Sequence, residues 1–137
     1  MHSFHFVVSL RFFSQTIAPS EISVQLGLEP MWQHEIGEPR VSIKGAPLGG
    51  IYGSNYCSFR FKRQGSEELN EMLDRIVMNL LQHKIFFDRI REDSGRTEFF
   101  IGWYSTGNTG DTFSNSLLSK LGELKIDLAL DVYGDGE

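Results

Sequence analysis

Residues 4–13 alternate cleanly: Phe4, Phe6, Val8, Leu10 and Phe12 share one face, and His5, Ser9 and Arg11 share the other. That period of two predicts a half-buried strand. Val7 and Phe13 interrupt the polar side, so that side is expected to be partly covered as well. The pattern then changes period. Pro19 suits a first helical turn, Glu21 complements the helix dipole, Ile22 and Leu26 lie one turn apart, and Gly27 is placed to stop the chain, which predicts a helix over 19–26. From Tyr56 alternation returns, with Cys57, Phe59 and Phe61 on one side and Ser58, Arg60 and Lys62 on the other. Leu69, Met72, Leu73, Ile76, Val77, Leu80 and Leu81 recur at helical spacing behind Ser66 as N-cap, predicting a long amphipathic helix over 66–82. Ile85, Phe86 and Ile90 read as a second helical segment continuing to about Glu92, with a strand as the alternative, and Asp93-Ser94-Gly95 is a turn. Residues 97–104 are apolar on both faces and predict a central strand covered on both sides. Phe113–Leu121 predicts a helix ended by Gly122, and 126–133 a last alternating strand.

Between these elements, residues 28–54 form an irregular segment. It carries Pro30, Pro39 and Pro47 with five glycines, and is expected to be mostly loop, with short extended pieces such as Arg40–Lys44 at a sheet edge. Residues 134–137 read as a flexible tail. The sum is a single α+β domain over 1–137: a mixed, mainly antiparallel sheet packed by one long amphipathic helix and two shorter ones. A strand, a polar loop, a short helix ending in Leu-Gly and a return apolar segment occur near both ends, at Leu26-Gly27 and Leu121-Gly122, which suggests a βα pseudo-repeat.

Composition narrows the chemistry. The formal net charge is −5 and the thirteen Lys and Arg are scattered, so no phosphate-neutralising stripe exists and nucleic acid is not the expected partner. Cys57 is the only cysteine, which removes internal disulfides and favours a reducing compartment. The N-terminal stretch has no secretory pattern and no apolar run approaches membrane-spanning length, so the expected location is the cytoplasm, with no membrane contact.

Candidate motifs resolve weakly. Gly107–Thr112 lies between a strand and a helix, where phosphates are cradled, but lacks the Gly-Lys-Ser/Thr ending of a nucleotide loop and reads better as a turn with Thr112 or Ser114 as cap. Asp127 and Asp131 share a strand face about 13 Å apart, too far for a carboxylate pair. His34-Glu35 has no second histidine at zinc spacing. Neither cofactor nor metal is expected. Met31, Trp32, Ile36, Ile51 and Tyr52 put large apolar groups in the irregular segment, either as a lid over the sheet or as a contact patch.

The run Phe100-Ile101-Gly102-Trp103-Tyr104-Ser105, the glycine-rich loop, Leu121-Gly122 and Leu130-Asp131-Val132-Tyr133 resemble a bacterial family, domain of unknown function 4279. Leu26-Gly27-Leu28-Glu29-Pro30 resembles that family's N-terminal signature. The resemblance implies a bacterial cytosolic α+β domain and supplies no activity. Two readings follow from the residues. One is a non-enzymatic protein-binding module, of the kind that neutralises a toxin, anchored by Trp32 and Tyr52. The other is a small-molecule binder or enzyme with a pocket between the Trp103/Tyr104 strand end, the 105–112 loop and the 31–54 segment. The sequence leaves the oligomeric state open.

Overall fold

The computed structural model describes residues 4–134. Strand β1 (His5–Ser14) lies at the centre of a five-stranded sheet. Its even positions explain that place: Val8, Leu10 and Phe12 are fully buried, while its backbone pairs antiparallel on both sides. One neighbour is β5 (Asn55–Phe61), with Phe12 opposite Cys57 and Leu10 opposite Phe59; the other is β6 (Arg96–Tyr104), with Leu10 opposite Phe99. Beyond β5 lies the short β2 (Trp32–His34), and beyond β6 lies β7 (Ile126–Tyr133), which pairs with β6 in parallel. The order is β2-β5-β1-β6-β7. Two further strands, β3 (Pro39–Val41) and β4 (Pro47–Ile51), pair with each other in a separate hairpin.

The helices cover one face. α1 (Pro19–Leu26), α2 (Leu69–Leu80), α3 (Lys84–Glu92) and α4 (Asn115–Glu123) bury their apolar stripes in one core cluster with Val8, Leu10, Phe12, Cys57, Phe59, Phe99, Ile101 and Trp103. A single 3-10 turn, Leu81–His83, joins α2 to α3, so 69–92 is almost continuously helical. The Cys57 thiol sits in this core, and burial pushes its pKa up to about 12, the behaviour of a small hydrophobe rather than a nucleophile.

The α+β expectation holds, and the differences are local. Ser66 is not the N-cap of the long helix. Glu67 at that turn binds Arg75 at 2.7 Å, and Glu68 caps instead, in a reciprocal capping box with Glu71. Gly27 does end α1, in the left-handed conformation, its N–H and that of Leu28 both reaching the Ser23 carbonyl. Gly122 does not end α4, which runs on to Glu123 and stops where Lys125 takes φ 57°. Residues 28–54 are mostly loop and turn, as expected, with three short strands among them; the extended piece expected over Arg40–Lys44 is β3, and it pairs in the hairpin rather than at the edge of the main sheet. Finally, the second face of β6 is covered in part, by side chains of the neighbouring strand rather than by a helix. Phe99, Ile101 and Trp103 face the helices; on the other face Glu98 is buried and Phe100 half-buried beneath neighbouring side chains while Tyr104 is exposed, and the central position belongs to β1.

The pseudo-repeat is realised in part. β1 and β2 both run antiparallel to β5 and are therefore parallel to each other, so β1-α1-β2 and β6-α4-β7 are both parallel β-α-β units. They differ in that β5 is inserted between the strands of the first, and the two Leu-Gly pairs do different work. Of the predicted tail, residues 135–137 lie outside the described residues.

Candidate functional site

The sheet surface away from the helices gathers the side chains that β-pairing brings into rows. Next to each other across the strands stand His34, Tyr56, Phe13 and Arg96; the next row holds Trp32, Ser58, Arg11, Glu98 and Asp127. Glu98, with only 10% of its side chain exposed, accepts from Arg96 at 2.7 Å, and Arg11 Nε lies 3.0 Å from its other oxygen. The Arg11 contact is one of charge, since its Nε lacks the alignment of a hydrogen bond. Arg11 also lies over the Phe100 ring at 4.3 Å, and Arg96 over Phe13 at 3.8 Å. Two guanidinium groups converge on the Glu98 carboxylate, with Asp127 next to it in the row, so the cluster is a charge-balanced network set among aromatic faces.

The hairpin is fastened to this surface by a stack. The Tyr52 ring lies 3.5 Å from His34 and nearly parallel to it, and His34 stacks in turn on Tyr56 at 5.2 Å. The Tyr52 hydroxyl accepts from Val41 N–H at 3.2 Å and donates to the Val41 carbonyl at 3.1 Å, so one side chain ties the end of β4 to β3. Ile36 N–H donates to the buried Asn55 side chain at 2.8 Å, and Asn55 donates to the Ile17 carbonyl at 3.1 Å, anchoring the root of the hairpin to the core. Burial lowers the His34 pKa below its ordinary value, against the pull of Glu38 and the Ser54 backbone, and Nδ1 has no hydrogen-bond partner among the described residues. The unfolded ring therefore binds the proton more readily than the stacked one. The stability this stack contributes is present above about pH 6.5 and is lost as pH falls through the lowered folded pKa. Acidification is expected to release the hairpin before the core unfolds, read as early loss of amide protection in 36–52; a His34→Phe variant keeps the stack and should abolish the pH dependence. Protection that is flat with pH in the native protein would sink the idea.

The four residues singled out in the sequence fall in three places. Trp32 is half-buried on β2, where its carbonyl accepts from the Ser58 hydroxyl at 3.4 Å. Tyr52 is the hairpin clip. Trp103 is buried on the helix-side face, stacked on Phe4 at 3.8 Å, and its Nε1 donates to Thr109 at 3.1 Å, which pins the 105–112 loop to the core. Tyr104 points the other way and stacks on Tyr133 at 4.8 Å. Trp32 and Tyr104 stand near opposite corners of the sheet, so the four do not form one site. A cavity of about 550 Å³ lies at the start of the 105–112 loop, lined by Phe4, His5, Arg63, Tyr104, Ser105 and Tyr133; it includes neither Trp103 nor any residue of the 31–54 segment. In the loop itself, Asp111 accepts from Thr112 N–H and Ser114 caps α4, so these groups serve the loop's own backbone.

The Arg11–Glu98–Arg96 cluster was not singled out by sequence reasoning. Its one local signal is Phe13 interrupting the polar side of β1; the rest depends on the register that sets Arg11 opposite Glu98. The exposed apolar residues of the hairpin, Ile43 and Leu48, were also missed. No helix among the described residues is long and apolar enough to cross a membrane, and no group of three or more metal-ligating side chains occurs among them. No curated protein and no solved structure matches the chain. Residues 2–135 match the family described as Domain of unknown function (DUF4279), so nearly the whole fold seen here, from β1 to β7, is that family's domain, and the chain belongs to it.

Proposed function

We propose that this domain is a protein-binding module that docks its partner through the β3–β4 hairpin. The observation that carries the reading is the exposure of large aliphatic groups on a pre-organised strand pair. Ile43 is 89% exposed, Leu48 53% and Ile51 64%, and every residue of β4 is exposed. Isolated exposed aliphatics need no explanation, but three on one small hairpin, with Ile36 also exposed beside its base, are a concentration that we take as the docking patch. The Tyr52 clip and the His34 stack hold that patch in shape, which lowers the ordering cost of association. Trp32 and Tyr52 act as supports of the surface rather than as its anchors. The net charge of −5 favours a basic partner whose association slows as salt rises.

The test compares the wild type with an Ile43→Ser, Leu48→Ser, Ile51→Ser variant, whose changes are all on exposed positions, in capture from host extract followed by affinity measurement. Binding at least about tenfold weaker in the variant is expected. A partner held equally by both would place the interface elsewhere. The second reading, a small-molecule site, rests on the 550 Å³ cavity, where His5, Arg63 and the Tyr104–Tyr133 stack converge.

A further inference from the structure

We propose that β7 is a self-association edge, through which two copies of this chain join their sheets by antiparallel β7–β7 pairing about a two-fold axis at Leu130. Among the described residues β7 is the outermost strand on its side of the sheet. The carbonyl of Tyr133 accepts from Ser105 N–H, just past the end of β6, so Tyr133 directs its backbone groups inward. By the alternation of a strand, Asp127, Ala129 and Asp131 do the same, and Leu128, Leu130 and Val132 present N–H and C=O groups to the free edge. Those residues also carry the exposed apolar groups: Leu130 is 45% exposed and Val132 61%. An edge with these properties invites another strand.

The acids choose which strand. A two-fold axis perpendicular to the sheet preserves its faces, so opposed residues must be of like parity and the axis must pass through a residue. Centred on Ala129, the pairing would set Asp127 against Asp131 twice, and centred on Asp131 it would set that residue against its own copy; like charges directly opposed are destabilising. Centred on Leu130, Asp131 faces Ala129, Asp127 faces Tyr133, Leu128 faces Val132 and Leu130 meets its copy. This register pairs seven residues, 127–133, and places Leu128, Leu130 and Val132 at the hydrogen-bonded positions where their outward groups are satisfied. Asp127 and Asp131 therefore do not simply block the edge; they leave one long self-complementary register open. The hairpin lies beyond β2 at the opposite edge, so the dimer leaves it free and this inference stands apart from the proposed function.

The experiment measures mass by analytical ultracentrifugation over a concentration series. The wild type is expected to rise from one chain toward two, more readily at high salt, because each copy carries −5. Leu130→Lys, at an exposed position, should melt like the wild type and stay monomeric. Under oxidation Leu130→Cys should form a disulfide with its copy across the axis, where opposed Cα atoms lie about 5.5 Å apart, while Ala129→Cys, offset by two residues, should not. The native thiol of Cys57 is buried and does not compete. A wild type that stays monomeric at every concentration, a dimer that survives Leu130→Lys, or equal cross-linking of the two cysteine variants would each overturn the proposal.

Discussion

Replacing Phe12 by alanine is expected to destabilise the domain by about 3–5 kcal/mol. Phe12 is fully buried on the central strand, its ring edge-on to Phe59 at 6.0 Å and tilted against Phe87 of α3 at 5.6 Å. Truncation removes contacts to both a neighbouring strand and a helix, and paired backbones on both sides of β1 prevent the cavity from collapsing. Phe13, the next residue, supplies the control. It lies half-buried on the open face, and its alanine variant should cost less than half as much while disturbing the Arg11 and Arg96 contacts. Urea denaturation with an unchanged slope measures both. Equal losses at the two positions would mean that the face assignment of β1 is wrong.

Gly95→Ala should be comparably severe for a different reason. A Cβ at Gly95 would lie 2.6 Å from the Phe13 carbonyl oxygen and 2.8 Å from that of Ile90. Both are backbone atoms, one in β1 and the other in α3, and the Gly95 N–H is itself bonded to Ile90 at 2.9 Å. No rotamer can relieve the clash; the turn between α3 and β6 must move, at a cost of about 3 kcal/mol or more. Gly122 makes the contrast, since its Cβ would meet nothing within 4 Å and it sits inside α4. Gly122→Ala should therefore stabilise by roughly 0.4–1 kcal/mol. Thermal melts of the two variants moving in the same direction would refute this account.

That contrast also shows what the sequence could reveal. Periodicity identified β1, β5, the α2 stripe and β7 because each buries a single face, and burial on one face writes its period into the sequence. Gly27 and Gly122 both follow a leucine at the end of an apolar helix, and nothing local separates the one that adopts a left-handed turn from the one that does not. The apolar side chains on the second face of β6 read as burial under another layer, whereas Phe100 is covered by Arg11 from the strand beside it. Such covering depends on strand order and register, which are long-range facts. For the same reason Trp32, Tyr52, Trp103 and Tyr104 were recognised as conspicuous residues, but not as members of three separate places. Small residues marked the 28–54 segment as irregular; they did not show that Ile43, Leu48 and Ile51 would be held out on a hairpin.

The central position of β1 has a consequence for how the chain is made. Translation proceeds at roughly 5–20 residues per second, and β6 is completed about ninety residues after β1. For roughly 5–20 s, then, the strand carrying Phe6, Val8, Leu10 and Phe12 exists without its second neighbour, and for the first part of that interval without β5 as well. Exposed alternating strands of this kind are substrates for chaperones and seeds for misassociation. The strand enclosed on both sides in the finished domain is thus among the first made and must wait for the later half of the chain to complete its pairing.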